Sequence, residues 1–316
     1  MPHYRVILNP VSGRGSGARA RGIIEHSLRS AGVPFDLTET SGPGDAARLA
    51  CAAALQNYDV IVSVGGDGTA HEVVGGLVQA AQTRGRWDTG EPVGLLGLIP
   101  LGTGNDFAWR LRVPENAPEA ACRLLLDGSH RTIDVGRVTD ERGRTEIFHN
   151  HFGAGFEAAA AIESLKIKHL HGLALYMLAL SRIIPQYNTP VPVTVHYNGT
   201  VLTKPVLLVS VANGGRTGGG FKIAPEARPD DGELDLIVAH SPTIARILWL
   251  VPHFMRGTHV NKKKYVIMDR TTHLVLEAPE GMPVHLDGEI FRTDARRVEV
   301  EVLPHRLQVI ADPAKA

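Results

Sequence analysis

A five-residue apolar run followed at once by a glycine-rich turn constrains this chain more than any other feature. Val60–Val64 is β-branched apart from one serine, as in a strand that is buried on both faces of a sheet. The run ends in Gly65-Gly66-Asp67-Gly68-Thr69, and apolar residues then recur at helical spacing from Val73 to Ala81. The pattern predicts a strand, a tight turn and a helix in direct succession.

A turn of this kind is typical of a phosphate-binding site. Glycines let backbone N–H groups approach phosphate oxygens without a Cβ between them, and a helix N-terminus adds partial positive charge. Asp67 would repel a phosphate unless a cation lay between the two, so we interpret its carboxylate as a Mg²⁺ ligand. The alternative is a tight turn in which the aspartate only supports the backbone.

Two further glycine-rich turns follow predicted strands. The strand Arg5–Leu8 runs into Asn9-Pro10-Val11-Ser12-Gly13-Arg14-Gly15, and the strand Gly94–Ile99 runs into Pro100-Leu101-Gly102-Thr103-Gly104-Asn105-Asp106. Helical segments separate these strands, which predicts an α/β domain with a parallel, doubly wound sheet. Because the carboxyl ends of parallel strands share one edge of a sheet, the turns together predict a nucleotide site.

From Arg131 onward the pattern changes to short β-rich runs separated by Gly, Pro or Asn turns, which is typical of an antiparallel sandwich or barrel. Helical segments from about 157 to 184 and from Ser241 interrupt these runs. We expect them to pack as core helices, with a lipid-binding cleft or a membrane-contact face as the alternative. The predicted domains are 1–131, with 305–316 packing back on it, and a mainly antiparallel β-sandwich with inserted helices over 132–304.

Composition restricts the partners of the chain. It has 33 Lys and Arg against 33 Asp and Glu, so no net charge favours nucleic acid. Its 2 cysteines are too few for a disulfide framework and suit a reducing cytosol. No signal peptide is predicted, and no window reaches the roughly 18 apolar residues of a spanning helix. We expect a cytoplasmic protein that meets a membrane only peripherally.

Taken together, the motifs resemble the diacylglycerol kinase catalytic-domain family, specifically the soluble bacterial lipid kinases related to sphingosine kinases and more distantly to NAD kinases. The turn at Asn9–Gly13 resembles the opening motif of that family, whereas Gly65–Thr69 is shared with NAD kinases and phosphofructokinases. Pro100–Ala108 resembles the lipid-kinase version in particular. The resemblance continues in the second half at Asn150, Gly153–Phe156, Asn213, Gly218–Gly220, Pro225–Leu234 and Leu286–Glu289.

The resemblance implies an NAD kinase-like nucleotide domain, a lipid-substrate domain, and ATP and Mg²⁺ as cofactors. Asp67 and Asp106 would organise the catalytic Mg²⁺ and the phosphates. The residues implied in nucleotide binding are Asn9, Pro10, Ser12, Gly13, Thr40, Gly65, Gly66, Asp67, Gly68, Thr69, Glu72, Thr103 and Asn105.

Two further sites in the second half follow from the same resemblance. Asp287 or Glu289 would accept the proton of the lipid hydroxyl, and the sequence leaves open which of the two does so, because Gly288 between them predicts a turn. A structural Mg²⁺ would be held by the Asp231 carboxylate and by neighbouring carbonyls such as those of Arg228 and Glu233.

The predicted function is an ATP- and Mg²⁺-dependent transfer of the γ-phosphoryl group to the hydroxyl of a diacylglycerol-like lipid, as in phospholipid biosynthesis. One alternative is a kinase for a sphingoid base, another lipid alcohol or, at greater distance, NAD. Another is a nucleotide- or lipid-binding regulator without turnover. The class is compatible with a homodimer, which no residue pattern here predicts.

Overall fold

A computed structural model describes residues 1–167, 170, 172–186, 191–240 and 243–312. The chain divides into two compact units. The first unit contains residues 1–134 and the C-terminal segment from Pro304, and the second contains residues 135–303. The first is mixed α/β and the second is β-rich, which confirms the predicted classes of the two domains.

The first unit alternates strands with helices. Its strands are β1 (Tyr4–Leu8), β2 (Phe35–Glu39), β3 (Val60–Gly65) and β4 (Leu95–Pro100). Its helices are α1 (Ser12–Ser30), α2 (Asp45–Leu55), α3 (Asp67–Thr83), α4 (Asp106–Arg110) and α5 (Pro118–Asp127), with a 3₁₀ turn at Trp87–Thr89.

The strands of the first unit pair in the order β2-β1-β3-β4, and each of these pairs is parallel. Every residue of β3 and β4 is buried. A strand covered on both faces has no position for alternating polar residues, which explains the apolar run at Val60–Val64. The end of the last strand of the chain, β13 (Glu289–Ala311), adds to β4 in parallel, with Gln308 opposite Leu95.

The second unit is a β-sandwich-like arrangement of antiparallel pairs. The strand order is β11-β10-β9-β7-β12-β13, and β8 pairs with both β9 and β12. The strands are β5 (Ser129–Asp140), which begins in the first unit, β6 (Thr145–Phe148), β7 (His151–Gly155), β8 (Val191–Tyr197), β9 (Thr200–Ala212), β10 (Leu234–His240), β11 (Val266–Thr271), β12 (His273–Leu286) and the part of β13 before Pro304. The helices are α6 (Phe156–Leu165), α7 (Gly172–Ile183) and α8 (Ile244–Arg256), with 3₁₀ turns at Ile184–Gln186 and Thr258–Asn261.

The second unit buries both faces of β10. Leu236 and Val238 belong to a core made mainly of strand residues, whereas Ile237 and Ala239 belong to a core that includes residues of α6, α7 and α8. Successive side chains of a strand point to opposite faces, so this alternation assigns one face to each core. The inserted helices therefore cover a sheet face, as expected of core helices.

The helical segment predicted from about 157 to 184 is two helices, so that prediction is wrong in detail. The first ends at Leu165, where the Lys166 N–H donates to the Glu163 carbonyl three residues back and tightens the final turn. Ser241 lies outside the described residues, and α8 is described from Ile244 onward. Among the helices in the described part of the chain, none has the length and apolar content needed to cross a membrane.

Gly76 controls the close packing of α2 against α3. A Cβ at this position would overlap the Ala47 carbonyl oxygen and lie 2.8 Å from the Ala50 Cβ. Gly76→Ala is therefore expected to lower the free energy of unfolding by about 1–3 kcal/mol through overpacking. The measurement is urea-induced unfolding followed by circular dichroism.

The neighbouring glycine provides the matched control. A Cβ on Gly75 meets no atom within 4 Å. Gly75→Ala should therefore stabilise the protein by up to about 1 kcal/mol, because alanine favours a helix interior over glycine. Equal destabilisation by both variants would show that the contact between α2 and α3 is not the cause.

Candidate active site

The first two glycine turns of the first unit meet at the carboxyl ends of β1 and β3. Asn9 Nδ2 donates a hydrogen bond to Thr69 Oγ1 at 3.0 Å. The residues Gly13–Gly15 all have positive φ, so α1 becomes regular only beyond them. The Ser12 hydroxyl oxygen is enclosed and has no hydrogen-bond partner among the described residues. An enclosed hydroxyl in a glycine turn is available to a polar oxygen of a ligand.

The second and third turns touch through their backbones. A Cβ on Gly66 would lie 3.2 Å from the Gly102 Cα, and one on Gly102 would overlap the Gly66 Cα. Any side chain at either position would therefore push the two turns apart. All three glycine-rich turns consequently lie together, at the carboxyl ends of β1, β3 and β4.

Two aspartates lie where these turns meet. Asp67 begins α3, and its Oδ1 accepts the backbone N–H of Phe107 at 3.2 Å. Asp106 begins α4 and is buried, with 6% of its surface exposed. Asp67 also lines a small cavity together with Gly65 and Asn105. Carboxylate oxygens are the ligands that Mg²⁺ prefers, so these residues fit a magnesium ion.

The backbone at the start of α3 supplies hydrogen-bond donors. The first α-helical bond of this helix runs from the Ala70 N–H to the Gly66 carbonyl at 3.1 Å. The N–H groups of Gly68 and Thr69 precede it and have no carbonyl partner within the helix. Such N–H groups, together with the helix dipole, favour a bound anion. The arrangement suits the phosphates of a nucleotide.

The third turn is shaped by Asn105. Its side chain is buried, its φ is 53°, and its Oδ1 accepts the Gly102 N–H at 2.9 Å while its Nδ2 donates to the Gly102 carbonyl at 3.0 Å. Thr103, between the two, is exposed. The structure therefore shows Asn105 holding the turn and Thr103 accessible to a ligand.

Other residues predicted to bind the nucleotide have partners within the first unit. Glu72 accepts the N–H groups of Gly44 and Ala46 at 2.8 and 3.1 Å, so its carboxylate caps α2. Thr40 is half-buried and donates its N–H to the last residue of β1 at 2.8 Å. The Pro10 carbonyl accepts an N–H from α1 at 3.1 Å. Each of these groups therefore has a structural role within the first unit.

In the second unit, Asp287 lies in the hairpin turn between β12 and β13. Asp287 and Gly288 have φ values of 53° and 96°, as in a two-residue turn of the I′ type. The Asp287 carboxylate accepts the backbone N–H groups of Asn150 and His151 on Oδ1, at 2.9 and 2.8 Å, and that of His149 on Oδ2, at 3.2 Å. Asp287 therefore anchors the start of β7.

Glu289 has a different environment from Asp287. It is exposed at the first position of β13, opposite Leu286 across the hairpin. The side chain of Asp287 is fully buried beside the His149 ring, whose Nδ1 lies 2.9 Å from Oδ2. The sequence did not distinguish Asp287 from Glu289. In the structure the Asp287 carboxylate is buried and held by charge-assisted hydrogen bonds, whereas the Glu289 carboxylate faces solvent.

The turn predicted to hold a structural Mg²⁺ contains an ion-pair network. Arg270 lies 3.0 Å from Oδ2 of Asp231 and 3.1 Å from the Glu233 carboxylate. The Glu233 N–H donates to Asp231 Oδ1 at 3.3 Å, and Arg228 faces Asp230 at 3.7 Å. The ligand types fit Mg²⁺, but Arg270 already supplies positive charge to Asp231. A metal ion here would share that carboxylate with a guanidinium.

An apolar cavity lies among α6, β9 and α8 of the second unit. Three polar side chains, those of Glu157, Thr217 and His285, are among the residues that line it. The other lining residues are mostly apolar and include Phe156, Ala160, Leu207, Ile247, Leu250 and Phe254. A cavity with apolar walls and a few polar groups suits a ligand with a hydrocarbon chain and a polar end.

Glu157 belongs to a buried polar cluster that the sequence did not predict. Ser210 Oγ donates to its Oε2 at 2.6 Å, and His151 Nε2 lies 3.2 Å from the same oxygen. Burial raises the pKa of Glu157 to about 8, against the opposing effect of the Ser210 hydrogen bond. Burial lowers the pKa of His151 to about 3 and that of His285 to about 4. The cluster is therefore neutral at pH 7.

Only one sequence signal pointed toward this cluster. Glu157 is an acidic residue directly after the Gly153–Phe156 motif, at the first turn of an otherwise alanine-rich helix. His151, Ser210 and His285 come from separate strands. Their approach to Glu157 depends on strand pairing, which spacing along the chain does not reveal.

Comparisons with known proteins agree with this geometry. Residues 3–138 match the family model of the diacylglycerol kinase catalytic domain, and residues 150–311 match that of the YegS C-terminal NAD kinase beta sandwich-like domain. A diacylglycerol kinase of Bacillus subtilis (strain 168) is 31% identical over 291 residues, which are 92% of this chain and 90% of that relative. The chain belongs to the diacylglycerol kinase catalytic-domain family. The resemblance inferred from the motifs is thereby confirmed.

Further relatives extend the comparison over nearly the whole chain of this family member. A diacylglycerol kinase of Mycobacterium tuberculosis (strain ATCC 25618 / H37Rv) is 31% identical over 307 residues, 96% of this chain and 93% of the relative. The solved structure of a putative diacylglycerol kinase from Bacillus anthracis str. Sterne has a TM-score of 0.75 to this chain at 26% identity, covering 100% of this chain and 98% of that one. Membership supports a kinase-type phosphotransferase.

The anchoring role of Asp287 gives a stability prediction for this diacylglycerol kinase family member. Asp287→Asn should lower the free energy of unfolding by about 1–3 kcal/mol, because the amide presents N–H groups to buried backbone donors. Glu289→Gln is the matched control and should change it by less than about 0.5 kcal/mol, since Glu289 is exposed. Urea unfolding of both variants makes the comparison. Equal losses would contradict the anchoring role.

Burial of Glu157 predicts a pH-dependent stability. Between pH 4.5, the ordinary pKa of a glutamate, and pH 8 the unfolded chain ionises while the folded carboxyl stays protonated, so stability falls as pH rises. Gln does not titrate. As pH rises from 5 to 8, the free energy of unfolding of Glu157→Gln should therefore increase by about 3 kcal/mol relative to that of the wild type. Urea unfolding at each pH measures the difference.

Glu163, on the same helix, is the control for that experiment. Ion pairs with Lys166 and Arg182 lower the pKa of Glu163, which is the opposite direction. The free energy of unfolding of Glu163→Gln, relative to that of the wild type, should accordingly fall slightly as pH rises over the same range. A pH-independent difference between Glu157→Gln and the wild type would contradict the burial of a protonated carboxyl at position 157.

Proposed function

We propose that this family member is an ATP- and Mg²⁺-dependent kinase that transfers the γ-phosphoryl group to the hydroxyl of a diacylglycerol-like lipid. The observation that carries the proposal is the convergence of three glycine turns around Asp67 and Asp106 in the first unit. The relatives from Bacillus subtilis and Mycobacterium tuberculosis are named as diacylglycerol kinases, which supports the choice of acceptor.

The first unit, understood as a doubly wound nucleotide domain, would bind ATP through its turns. The N–H groups at the start of α3 and the Ser12 hydroxyl are placed to hold phosphate oxygens. When bound, Mg²⁺ supplies positive charge that offsets the charge on the phosphates. Asp67 and Asp106 are the residues that would hold it.

The second unit would bind the lipid acceptor. Its apolar cavity offers hydrocarbon contacts from α6, β9 and α8. Asp287 and Glu289 are the candidates for the group that takes the proton of the lipid hydroxyl. Because Asp287 also anchors β7, its substitution affects folding as well as chemistry, whereas Glu289→Gln leaves that anchor in place.

Peripheral membrane contact is proposed for the outer surface of α8. Leu248 and Trp249 are 58% and 42% exposed there. Cationic side chains lie beside them: Lys262 Nζ is 5.2 Å from the centre of the Trp249 ring, and the Arg246 guanidinium is 4.5 Å from that of Tyr265. Exposed aromatic and apolar groups next to cations suit an anionic membrane surface. A cytoplasmic location and a homodimer stay predictions.

The experiment is a transfer assay with γ-labelled ATP and Mg²⁺ on the wild type and on Asp67→Asn. This variant should lower kcat at least about 100-fold, because the amide is a poor metal ligand but keeps the oxygen that accepts the Phe107 N–H. Asp59→Asn is the matched control, since Asp59 immediately precedes the other end of β3 and accepts the His3 N–H. Near-normal turnover of Asp67→Asn would overturn the metal assignment.

The acceptor is tested in the same assay by offering diacylglycerol, a sphingoid base and monoacylglycerol in mixed micelles, and NAD in solution. Label in diacylglycerol supports the proposed activity. Label only in the sphingoid base or only in NAD would replace the proposed acceptor. ATP binding without labelled product from any acceptor would favour the alternative function, a nucleotide- or lipid-binding regulator without turnover.

A further inference from the structure

The wall of the apolar cavity is joined through His285 to the turn that contains the two candidate carboxylates. The side chains of Glu157 and His285, which both line the cavity, form what we call its polar end. In β12 the neighbours of His285, Val284 and Leu286, belong to the core made mainly of strand residues. Successive side chains of a strand point to opposite faces, so the His285 ring points away from that core and toward the cavity.

The position of the His285 ring is fixed by β7, the strand beside it. Gly153 lies opposite His285 across the strand pair. A Cβ on Gly153 would overlap His285 Nε2 and lie 2.6 Å from Glu157 Oε2, so the ring uses the space that this glycine leaves. The ring also meets the His151 ring edge to face, with centroids 5.4 Å apart. His285 is buried, and its surroundings leave the ring little freedom to move.

Both central N–H groups of the hairpin turn have partners on its inner side. A two-residue turn of the I′ type pairs the residues that flank it, and the N–H groups of its two central residues have no partner within the turn. Here the Asp287 N–H donates to the His151 carbonyl at 2.7 Å. The Gly288 N–H donates to His285 Nδ1 at 3.2 Å. The turn is therefore held by β7 and by a side chain of its own strand.

The hydrogen bond from Gly288 also defines the protonation of the ring. A backbone N–H only donates, so His285 Nδ1 carries a lone pair. Burial lowers the pKa of His285 to about 4, and the neutral ring therefore has its proton on Nε2. A Cβ on Gly288 would meet no atom within 4 Å, so the outer side of the turn is open. The ring holds the turn from the inner side.

The peptide that His285 restrains lies between the two candidate carboxylates. The Gly288 N–H belongs to the peptide that joins Asp287 to Gly288, and Glu289 follows it. The Asp287 carboxylate is held by three further N–H groups. Glu289 is exposed, so the direction of its side chain depends on the backbone of the turn. Loss of the bond to His285 would loosen the Gly288 peptide and with it the direction of Glu289.

We propose that His285 is a positioning residue for the proposed phosphate transfer, since it holds the turn that contains Asp287 and Glu289 through the Gly288 N–H. This inference rests on the proposed function, which assigns the proton of the acceptor hydroxyl to one of these two carboxylates. His285 exchanges no proton with the acceptor. Small displacements of a reacting group are costly in rate, so the effect of His285 falls on kcat.

The test replaces His285 by side chains that place an acceptor oxygen at different distances from the backbone. The asparagine amide is the same number of bonds from Cα as Nδ1, and the glutamine amide is the same number as Nε2. With γ-labelled ATP and diacylglycerol in mixed micelles, His285→Leu and His285→Gln should each lower kcat at least about tenfold. His285→Asn should stay within about threefold of the wild type. The KM for ATP should be unchanged in all three variants, because their side chains lie in the second unit.

His259 provides the matched control. It is buried in the same unit and donates from Nε2 to the Ile223 carbonyl at 2.9 Å. His259→Leu loses a buried hydrogen bond to the backbone at a place remote in sequence from the turn, and its kcat should stay within about twofold of the wild type. Thermal unfolding is measured for every variant, and kcat is divided by the number of ATP sites found by equilibrium dialysis. An equal loss of kcat in His259→Leu would show that lower stability is the cause and would overturn the proposal.

Nuclear magnetic resonance tests the hydrogen bond without turnover. In the full-length wild type labelled with ¹⁵N-histidine, the His285 ring should carry its proton on Nε2 at pH 7. The Gly288 amide should exchange with solvent at least about tenfold more slowly in the wild type and in His285→Asn than in His285→Leu. If the wild type labels no acceptor, the proposed function fails, and the exchange of the Gly288 amide still decides whether His285 holds the turn.

Four further results would overturn the proposal. They are near-normal kcat in His285→Leu, equal losses of kcat in His285→Asn and His285→Leu, a proton on Nδ1 of the wild-type ring, and a raised KM for diacylglycerol at unchanged kcat. The last result would make His285 a part of the cavity wall only. If His285→Leu fails to fold, the comparison of His285→Asn with His285→Gln decides in its place, since the proposal requires the asparagine variant to be the faster one.

Discussion

The backbone contact between Gly66 and Gly102 is the constraint on which the candidate active site of the first unit depends. It allows the turns after β3 and β4 to lie against each other without a Cβ between them. Asp67 can then accept the Phe107 N–H across the two turns. The same closeness brings the start of α3 next to the start of α4. The shape of the candidate site results from the geometry of the backbone, and the side chains refine it.

The elements of this site that could be predicted from the sequence are those set by neighbouring residues. The buried strand Val60–Val64 and the turn after it are local patterns, and the structure shows both. The partners of the charged groups could not be predicted in this way. Glu72 caps α2, 28 positions away along the chain, and Arg270 of β11 pairs with Asp231 in the turn before β10. Such contacts depend on which elements pack together. A carboxylate near a site can stabilise the fold instead of binding a ligand, and the sequence does not distinguish the two roles.

The second unit shows the same limit for titratable groups. Sequence spacing indicated a β-rich unit with core helices, and the alternation along β10 agrees with it. The charge state of Glu157, however, depends on how completely β7, β9 and α6 enclose it. Desolvation opposes the charged form of every buried group, so it shifts the pKa of an acid upward and that of a histidine downward. Glu157, His151 and His285 are for this reason uncharged together, which makes an acidic residue beside two histidines into a set of neutral hydrogen-bonding groups.

The neutral cluster and the turn that carries Asp287 form one hydrogen-bonded assembly. His285 accepts the Gly288 N–H within the hairpin, and Asp287 accepts the N–H of His151, whose ring contacts Glu157. Displacing the His285 ring would therefore break the hydrogen bond that it accepts from Gly288 in the turn. Displacing Asp287 would remove the hydrogen bonds that hold the start of β7, which contains His151. Groups tied in this way have few independent positions. The position of the His285 ring at the polar end of the cavity is thus coupled to that of the Asp287 carboxylate through the residues of a single hairpin and the strand beside it.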